Sequence, residues 1–284
     1  PFNYEIRGTL SDYISTIDRY NNQTGNLDDY YAGKRVGEIW GYETEGFIQN
    51  AAEAAEMADR QSFISTTWIP GDIKYADLNG DGKINQGNNR VGDSGDRKII
   101  GNNTPRYNFN LNLGGSWKGF DLRLFFQGTM KRDIWLDSPI FWGYDGVWSS
   151  CLNDYHVDNS WSETNTNAYY PVPLFNNRSK KVQTKYLQNG AYIRLKDVTL
   201  SYTIPKTLTS RIGIQQLKVY VSGQNLWEAT GLYKYLDPDV VGSRNSSTTK
   251  SDGSATTVGS LATEAGGRVY PFTRSYSFGI NVTF

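Results

Sequence analysis

The run from Asp77 to Asn85 holds the residue types in this sequence that are best suited to metal chemistry. Asp77, Asn79 and Asp81 place side-chain oxygens at every second position, and Gly82 follows at the sixth. This is the first half of a calcium loop of the EF-hand kind, in which alternate residues turn inward and the glycine takes the sharp bend. The pattern predicts a structural Ca²⁺ or Mg²⁺ that stiffens the loop.

The second half of that pattern is incomplete. Its twelfth position is Asn88, a neutral ligand, where a bidentate carboxylate is expected, although Asp93 or Asp96 could replace it. An equally weighted alternative is an Asx-rich turn that caps itself by side-chain hydrogen bonds, with no metal. The predicted metal ligands are Asp77, Asn79, Asp81, Lys83, Asn88 and Asp93.

Aromatic residues crowd the stretch 132–184, with aspartates between them. Flat aromatic faces beside hydrogen-bonding carboxylates suit the recognition of sugars or peptides. The competing interpretation, which we favour for any single residue, is that a long connection needs a small core of its own. The candidates for contact with a solute or with a covering partner are Trp135, Trp142, Tyr144, Trp148 and Trp161.

Other kinds of chemistry find little support. His156 is the only histidine and is expected to form structural hydrogen bonds, and Cys151 is the only cysteine. There is no phosphate-binding glycine loop and no Gly-x-Ser-x-Gly elbow, so we predict no catalytic residue and no enzyme. The 29 basic residues balance the 29 acidic ones, which gives no electrostatic reason to expect a nucleic-acid partner.

The strands that position these residues have two different faces. The final strand carries apolar side chains on one parity and small or polar ones on the other, which a soluble sandwich could also show. Asn108, Asn110 and Asn112 alternate with apolar residues in an earlier strand. Three buried asparagines would be costly in a dry core but fit the wet lumen of a membrane barrel. The apolar parity of the last strand is Tyr276, Phe278, Ile280, Val282 and Phe284.

Connection lengths indicate the same architecture. Further strands are predicted at about 2–20, 34–47, 185–204 and 216–228, with a bulge near Lys196 and Asp197 and a helix from about Asn50 to Gln61. The connections at about 48–103, 132–184 and 229–267 are long, and those at 116–118 and 205–215 are short. Outer-membrane barrels have short periplasmic turns and long external loops. We therefore predict an all-β fold of about seven barrel strands, with the first strand running in the same direction as the last.

The order of short motifs along the chain resembles one family of outer-membrane proteins. Gly-Glu-Ile-Trp-Gly-Tyr stands at 37–42, Pro-Gly-Asp-Ile-Lys-Tyr at 70–75 and Asp-Leu-Asn-Gly-Asp-Gly-Lys-Ile at 77–84. Ile-Gly-Asn (100–102), Thr-Pro-Arg-Tyr (104–107) and the hairpin motifs at 117–122 and 125–128 follow. Tyr-Ile-Arg-Leu-Lys (192–196), Leu-Ser-Tyr (200–202) and Gly-Gln-Asn-Leu (223–226) complete the series before Phe284. Their ordered combination resembles the C-terminal third of SusC/RagA-type TonB-dependent transporters.

That resemblance implies more than the residues alone do. It implies the C-terminal strands of a 22-stranded transmembrane barrel in a Gram-negative outer membrane, whose N-terminal plug and remaining strands lie outside residues 1–284. It implies a SusD-like surface lipoprotein over the external loops, and import of oligosaccharides or peptides powered through TonB. Within the family, the terminal aromatic is the signal that the barrel-insertion machinery reads.

Two other interpretations stay open on the sequence. The chain could be a soluble carbohydrate-active β-protein, which predicts solubility without detergent. It could also be a structural barrel or adhesin without transport, which predicts no need for TonB and no lipoprotein partner.

Overall fold

The computed structural model describes residues 1–144, 150–175, 178–241, 248–249, 255–256 and 270–284. It is built mainly of antiparallel strands with short helices. The strands in chain order are β1 (Asn3–Ser11), β2 (Glu38–Tyr42), β3 (Thr44–Phe47), β4 (Ile73–Tyr75), β5 (Arg97–Asn102), β6 (Arg106–Trp117), β7 (Phe120–Lys131), β8 (Asp133–Ile134), β9 (Gln188–Asn189), β10 (Tyr192–Thr203), β11 (Gln216–Thr230), β12 (Thr248–Thr249), β13 (Ala255–Thr256) and β14 (Ser275–Thr283). The helices are α1 (Ala51–Arg60), α2 (Pro139–Trp142), α3 (Asp154–Asn159) and α4 (Lys206–Thr209), with 3₁₀ turns at Arg178–Lys180 and Ser210–Ile212.

The long strands form one six-stranded sheet in the order β1-β6-β7-β10-β11-β14. Every neighbouring pair is antiparallel. The β6–β7 hairpin turns on Lys118 and Gly119, whose φ angles of 47° and 91° are both positive. Two such residues make the tight turn whose twist matches that of the flanking strands.

One face of this sheet is apolar across all six strands. The register places Leu113 beside Ile6 and Leu124, Leu124 beside Val198, and Val221 beside Leu200 and Phe278. This face is open to its surroundings, since Phe278 is 88% exposed and Ile280 is 62% exposed. Apolar strand faces in soluble proteins are normally covered, and a large uncovered one marks a surface that meets lipid or another protein.

The opposite face is polar and hydrogen-bonded to itself. Asn108 accepts a hydrogen bond from Thr129 at 2.8 Å, and Asn110 donates to Thr9 at 3.2 Å. Arg123 pairs with Asp121 at 3.1 Å on the same face. The prediction that the asparagines share a polar face opposite the apolar one is confirmed.

Two local predictions are also confirmed. The register of β10 shifts between Leu195 and Asp197 against both neighbours, so a bulge lies at Lys196. Helix α1 begins after Asn50, whose side chain accepts a hydrogen bond from the Glu53 N–H at 2.9 Å, and ends before Gln61. Asn is a favoured residue at this position because its short side chain satisfies an N–H that the helix cannot.

The predicted strand at 34–47 is not part of the six-stranded sheet. β1 pairs directly with β6, while β2 pairs with β5 and β3 pairs with β4. The sheet therefore has six strands rather than about seven, and the predicted direction of the first strand is wrong, since β1 runs opposite to β14. The physical reason is that Tyr42 and Phe47 belong to a different core, so this segment folds away from the sheet.

Three connections extend from the same end of the sheet, at 12–105, 132–191 and 231–274. We call their described residues the cap. The connections at the opposite end are only the turn at Lys118 and Gly119 and the stretch 204–215. The long connections thus lie at one end of the sheet and the short ones at the other, as predicted. The long connections include more residues than the sequence indicated.

The hydrophobic core lies in the cap. Its members come from all three connections and include Ile73, Tyr75, Phe141, Tyr186 and Leu232. Among the described residues, none of this cluster belongs to the six-stranded sheet. The sheet and the cap are therefore stabilised by different means, the sheet by its hydrogen-bonded ladder and the cap by apolar burial.

No described helix is both long enough and apolar enough to cross a membrane.

Candidate functional site

The cap is organised around the fully buried ring of Phe141 in α2. Edge-to-face contacts join this ring to Trp142 at 5.1 Å, to Tyr233 at 5.3 Å and to Tyr170 at 5.6 Å between ring centroids. Such pairs add stabilisation beyond their buried area. Burial raises the pKa of Tyr170 and of Tyr186 above the ordinary value, so both phenols stay neutral.

Three of the predicted contact residues lie inside this core. Trp135, Trp142 and Trp161 are 8%, 3% and 7% exposed. The prediction that they present flat faces to a solute is therefore corrected: they supply the core that a long connection needs. Composition alone does not distinguish an aromatic residue that contacts a solute from one that packs in a core, because both roles use the same residue types.

The remaining two candidates are placed differently. Tyr144 is half-buried and, with Trp142, lines a cavity of about 10 Å³ that also touches Asp72 and Lys180. That volume holds about one water molecule and no solute. Trp148 lies outside the described residues.

The loop at Asp77 adopts a tight turn closed by its own hydrogen bonds. The carboxylate of Asp77 accepts the N–H groups of Gly82 at 2.8 Å and Gly80 at 2.7 Å, and these bonds hold its pKa below the ordinary value. The side chain of Asn79 donates to Asp81 at 3.0 Å. This is the arrangement that the self-capping alternative predicts, and it also brings three oxygen-bearing side chains into one turn.

Two residues predicted to complete the metal site, Asn88 and Asp93, bond to each other. The Asn88 amide donates to Asp93 at 2.5 Å. Within the described part of the chain, no group of three or more His, Cys, Asp or Glu side chains could hold a metal ion. Ca²⁺ prefers six to eight oxygens. Asp77, Asn79 and Asp81 fit only part of such a set, so any ion here would need water or backbone oxygens for the rest.

Asp96, which the sequence pattern offered as a substitute for the twelfth metal ligand, has a structural role. It is fully buried, and its two carboxylate oxygens accept the N–H of Leu78 at 2.9 Å and the N–H of Asn85 at 2.7 Å. Asp96 thereby ties together the two ends of the loop. Nothing in the sequence except its residue type indicated that Asp96 would bind the N–H groups of Leu78 and Asn85.

Replacing Asp96 by asparagine is expected to destabilise the cap by about 1–3 kcal/mol, because one buried N–H loses its acceptor. Hydrogen exchange of the Leu78 and Asn85 amides in the full receptor measures this effect. Asp59→Asn is the matched control, since Asp59 forms an exposed ion pair with Lys83. Equal protection of both amides in Asp96→Asn and in the parent protein would contradict the role given to Asp96.

His156 and Cys151 have no catalytic arrangement. His156 is fully buried, and its Nε2 lies 3.0 Å from the carbonyl oxygen of Phe141, to which it donates. Its Nδ1 accepts the N–H of Asn153 in a capping box at the start of α3. The expectation of a structural histidine is confirmed, and Cys151 is an exposed free thiol.

The third connection of the cap is fastened to the polar face of the sheet by a buried ion network. Arg194 in β10 is 2% exposed and pairs with Asp237 at 2.5 Å, with Asp239 at 3.4 Å and with Glu228. Lys196, at the bulge, also pairs with Asp239. Phe272 lies against both cations: the centroid of its ring is 5.4 Å from Cζ of Arg194 and 4.3 Å from Nζ of Lys196.

The described elements form a six-stranded sheet with one polar and one apolar face, and the packed cap lies at one end of it. No protein-family model matches the chain. One relative is "TonB-dependent receptor P3" of Formosa agariphila, which is 32% identical over 252 residues, covering 89% of this chain and 22% of that protein. The chain belongs to the TonB-dependent receptors.

Other similar proteins agree with this assignment. "TonB-dependent receptor P26" of the same organism is 26% identical over 240 residues, covering 83% of this chain and 21% of that receptor. Two solved structures share the fold over the whole chain. One is titled the RagAB peptide importer in the closed-closed state (TM-score 0.65, 20% identity), and the other the RagAB peptide transporter (TM-score 0.62, 19% identity).

The chain spans 22% of that first receptor and 27% of each solved chain, so it corresponds to one part of a TonB-dependent receptor. The family resemblance drawn from the motifs is confirmed. The prediction that the chain is not an enzyme is also confirmed, because these relatives are receptors and transporters.

Proposed function

We propose that this chain is part of an outer-membrane transporter that imports oligosaccharides or peptides, with energy delivered through TonB. The observation that carries the proposal is the two-faced sheet. Its apolar face is continuous over six strands and exposed, while its polar face carries hydrogen bonds and an ion pair between its own side chains. Lipid outside and water inside give both faces a suitable environment.

The sheet supports membership of a larger closed barrel. Within the described residues β1 and β14 each pair with one strand only, so each has an open edge. Open edges of this length invite wrong pairing unless other strands cover them. In our proposal the remaining strands of a 22-stranded barrel cover both edges, and a plug fills a lumen lined by the polar face.

The cap fits the external side of this barrel and a partner there. Long connections of outer-membrane barrels face outward. The two solved structures are titled as RagAB assemblies that transport peptides. By analogy we propose a SusD-like surface lipoprotein above the cap, with TonB engaging the plug from the other side.

The end of β14 would serve barrel assembly. Tyr276, Phe278, Ile280 and Val282 all lie on the apolar face, and Phe284 is 80% exposed directly after the strand. We propose that the insertion machinery recognises this aromatic end and that β14 then pairs with the first strand of the barrel.

A Ca²⁺ or Mg²⁺ in the Asp77 loop remains a proposal, supported by the three oxygen-bearing side chains in one turn. The full receptor is expected to show a higher melting temperature of the cap with Ca²⁺ than with a chelator. Asp81→Asn should reduce that difference, whereas Asp59→Asn should leave it unchanged. If the melting temperature were the same with Ca²⁺ and with the chelator, the loop would be a self-capped turn without a metal.

Co-purification tests the transport proposal. The full receptor, tagged in its natural host and extracted with detergent from outer membranes, is expected to retain a surface lipoprotein. Growth on the imported solute should depend on TonB. Release of the protein in soluble form without detergent would favour a soluble β-protein, and a membrane protein without lipoprotein or TonB dependence would favour a structural barrel.

A further inference from the structure

A second cavity in the cap has a chemistry that nothing described so far uses. Its volume is about 210 Å³, and it lies between β2, β5, the turn after α1 and the segment 181–182. Trp40, Phe63 and Ile64 form its apolar wall, and Gln86, Arg97 and Lys181 supply its polar groups. Phe63 is 57% exposed, so the cavity has an open rim.

The polar lining is cationic and short of acceptors. Its charged residues are Arg97 and Lys181, and it contains no carboxylate among the described residues. One terminal nitrogen of the Arg97 guanidinium lies 3.9 Å from Asp28, and the other donates a hydrogen bond to the side-chain oxygen of Asn89. The Nε–H of Arg97 is buried and has no acceptor within the described chain. A buried donor without a partner costs free energy that an incoming acceptor recovers.

Lys181 is the second unused cation. It is half-buried, and no hydrogen bond or ion pair of its amine is found in the part of the chain that the structure describes. By comparison Lys74, Lys83 and Lys98 in the same cap each pair with a carboxylate. Among the described residues the Lys181 amine has no partner, and Arg97 in the same cavity lining has one unpaired N–H, so the two cations make a local site for an anion.

The volume and the wall restrict the ligand further. The cavity is larger than a water molecule needs but smaller than the usual pocket of about 300–1,000 Å³ for a drug-sized molecule. Trp40 is part of the lining, and an indole ring suits contact with the apolar side of a sugar or a short aliphatic chain. An ion such as chloride would leave this wall unused.

We propose that this cavity binds the carboxylate of a small organic acid, with Lys181 and Arg97 holding the carboxylate and Trp40 contacting the body of the ligand. The source of the carboxylate is either an acidic sugar or an acidic peptide side chain, which share this chemistry. The inference concerns equilibrium binding and does not require energy from TonB.

Calorimetric titration of the detergent-purified full receptor at low salt tests the proposal. The probes are glucuronate and N-acetylglutamate, each with its uncharged counterpart, glucose and N-acetylglutamine. At least one acid is expected to bind, with an affinity at least fivefold higher than that of its counterpart. Lys181→Gln should weaken that binding at least fivefold, whereas Lys74→Gln, which removes a lysine paired with Glu53 outside the cavity lining, should not.

The results separate the alternatives. Binding of glucuronate alone assigns the cavity to acidic sugars, and binding of N-acetylglutamate alone assigns it to acidic peptides. Binding of both supports a general carboxylate site. If neither acid binds better than its counterpart, or if Lys181→Gln binds as well as the parent protein, the proposal is overturned. That outcome leaves the transport proposal intact, because co-purification and TonB dependence test it separately.

Discussion

Replacing Arg194 by methionine is expected to release the third connection of the cap from the sheet, at a cost of about 3–5 kcal/mol. Methionine keeps an apolar stem but leaves Asp237, which is 8% exposed, without a cation among the described residues, and leaves Asp239, which is 17% exposed, with Lys196 alone. The penalty arises because carboxylates left buried without a cation are strongly unfavourable. The ion pair itself need not be a large net gain.

Amide hydrogen exchange measures the release of the third connection at the residues that are released. The N–H groups of Phe272 and Asp239 donate to the carboxylate of Asp237 at 2.9 and 3.0 Å. In Arg194→Met their exchange should accelerate by roughly a hundredfold or more, as the expected free-energy change implies. Adding Asp237→Asn to that variant should restore part of the protection, because it removes one uncompensated charge.

Arg60→Met serves as the matched control. Arg60 pairs with Glu56 one turn away in α1, and the Glu56 side chain is 59% exposed. Exposed pairs of this kind contribute about 0.3–0.5 kcal/mol. If Arg194→Met left the Phe272 and Asp239 amides as protected as Arg60→Met does, the network would not fasten the connection.

A lysine in place of Val198 is expected to lower the stability of the membrane-inserted receptor by about 2–4 kcal/mol. Val198 lies near the middle of β10 on the apolar face, between Leu124 of β7 and Gly223 of β11. In the proposed barrel this position meets the lipid interior, where a cation has no water and no partner. The measurements are the unfolding free energy in lipid vesicles and the amount of folded receptor in outer membranes.

The next residue gives a sharp comparison. Thr199 follows Val198 in the same strand but lies on the polar face, beside Arg123 and Ser222. Thr199→Lys should therefore cost much less than Val198→Lys, although both add the same charge at nearly the same depth. The reverse order would mean that the apolar face looks into the lumen, and the barrel assignment would fail.

The alternation of side chains was sufficient to predict most of the sheet. β6, β7, β11 and β14 each keep one apolar parity, and the change of parity within β10 indicated the bulge at Lys196. The segment 34–47 shows why the same signal can fail. Trp40 and Tyr42 stand two residues apart as in a barrel strand, but Tyr42 and Phe47 are buried in the cap.

The side-chain contacts of the cap could not be predicted from the sequence pattern, for a different reason. Its contacts join residues that are distant along the chain, such as Arg194 with Asp237 and Asp96 with Leu78. No periodicity relates such pairs. The cavity at Arg97 and Lys181 likewise brings together β5 and a segment that lies more than eighty residues further on. The aromatic stretch at 132–184 left two roles open, and the interpretation favoured for single residues, a small core, holds for Trp135, Trp142 and Trp161.

The location of the core entirely within the cap has a consequence for biogenesis. Tyr75, Phe141 and Leu232 come from three different connections, so none of these segments can bury its apolar side chains by itself. In the proposed topology each connection crosses the membrane before its partners are in place. The cap must therefore cross unfolded and condense last, once the strands have brought the three connections together. The most aggregation-prone stage in the life of this receptor is then the interval between strand insertion and cap closure.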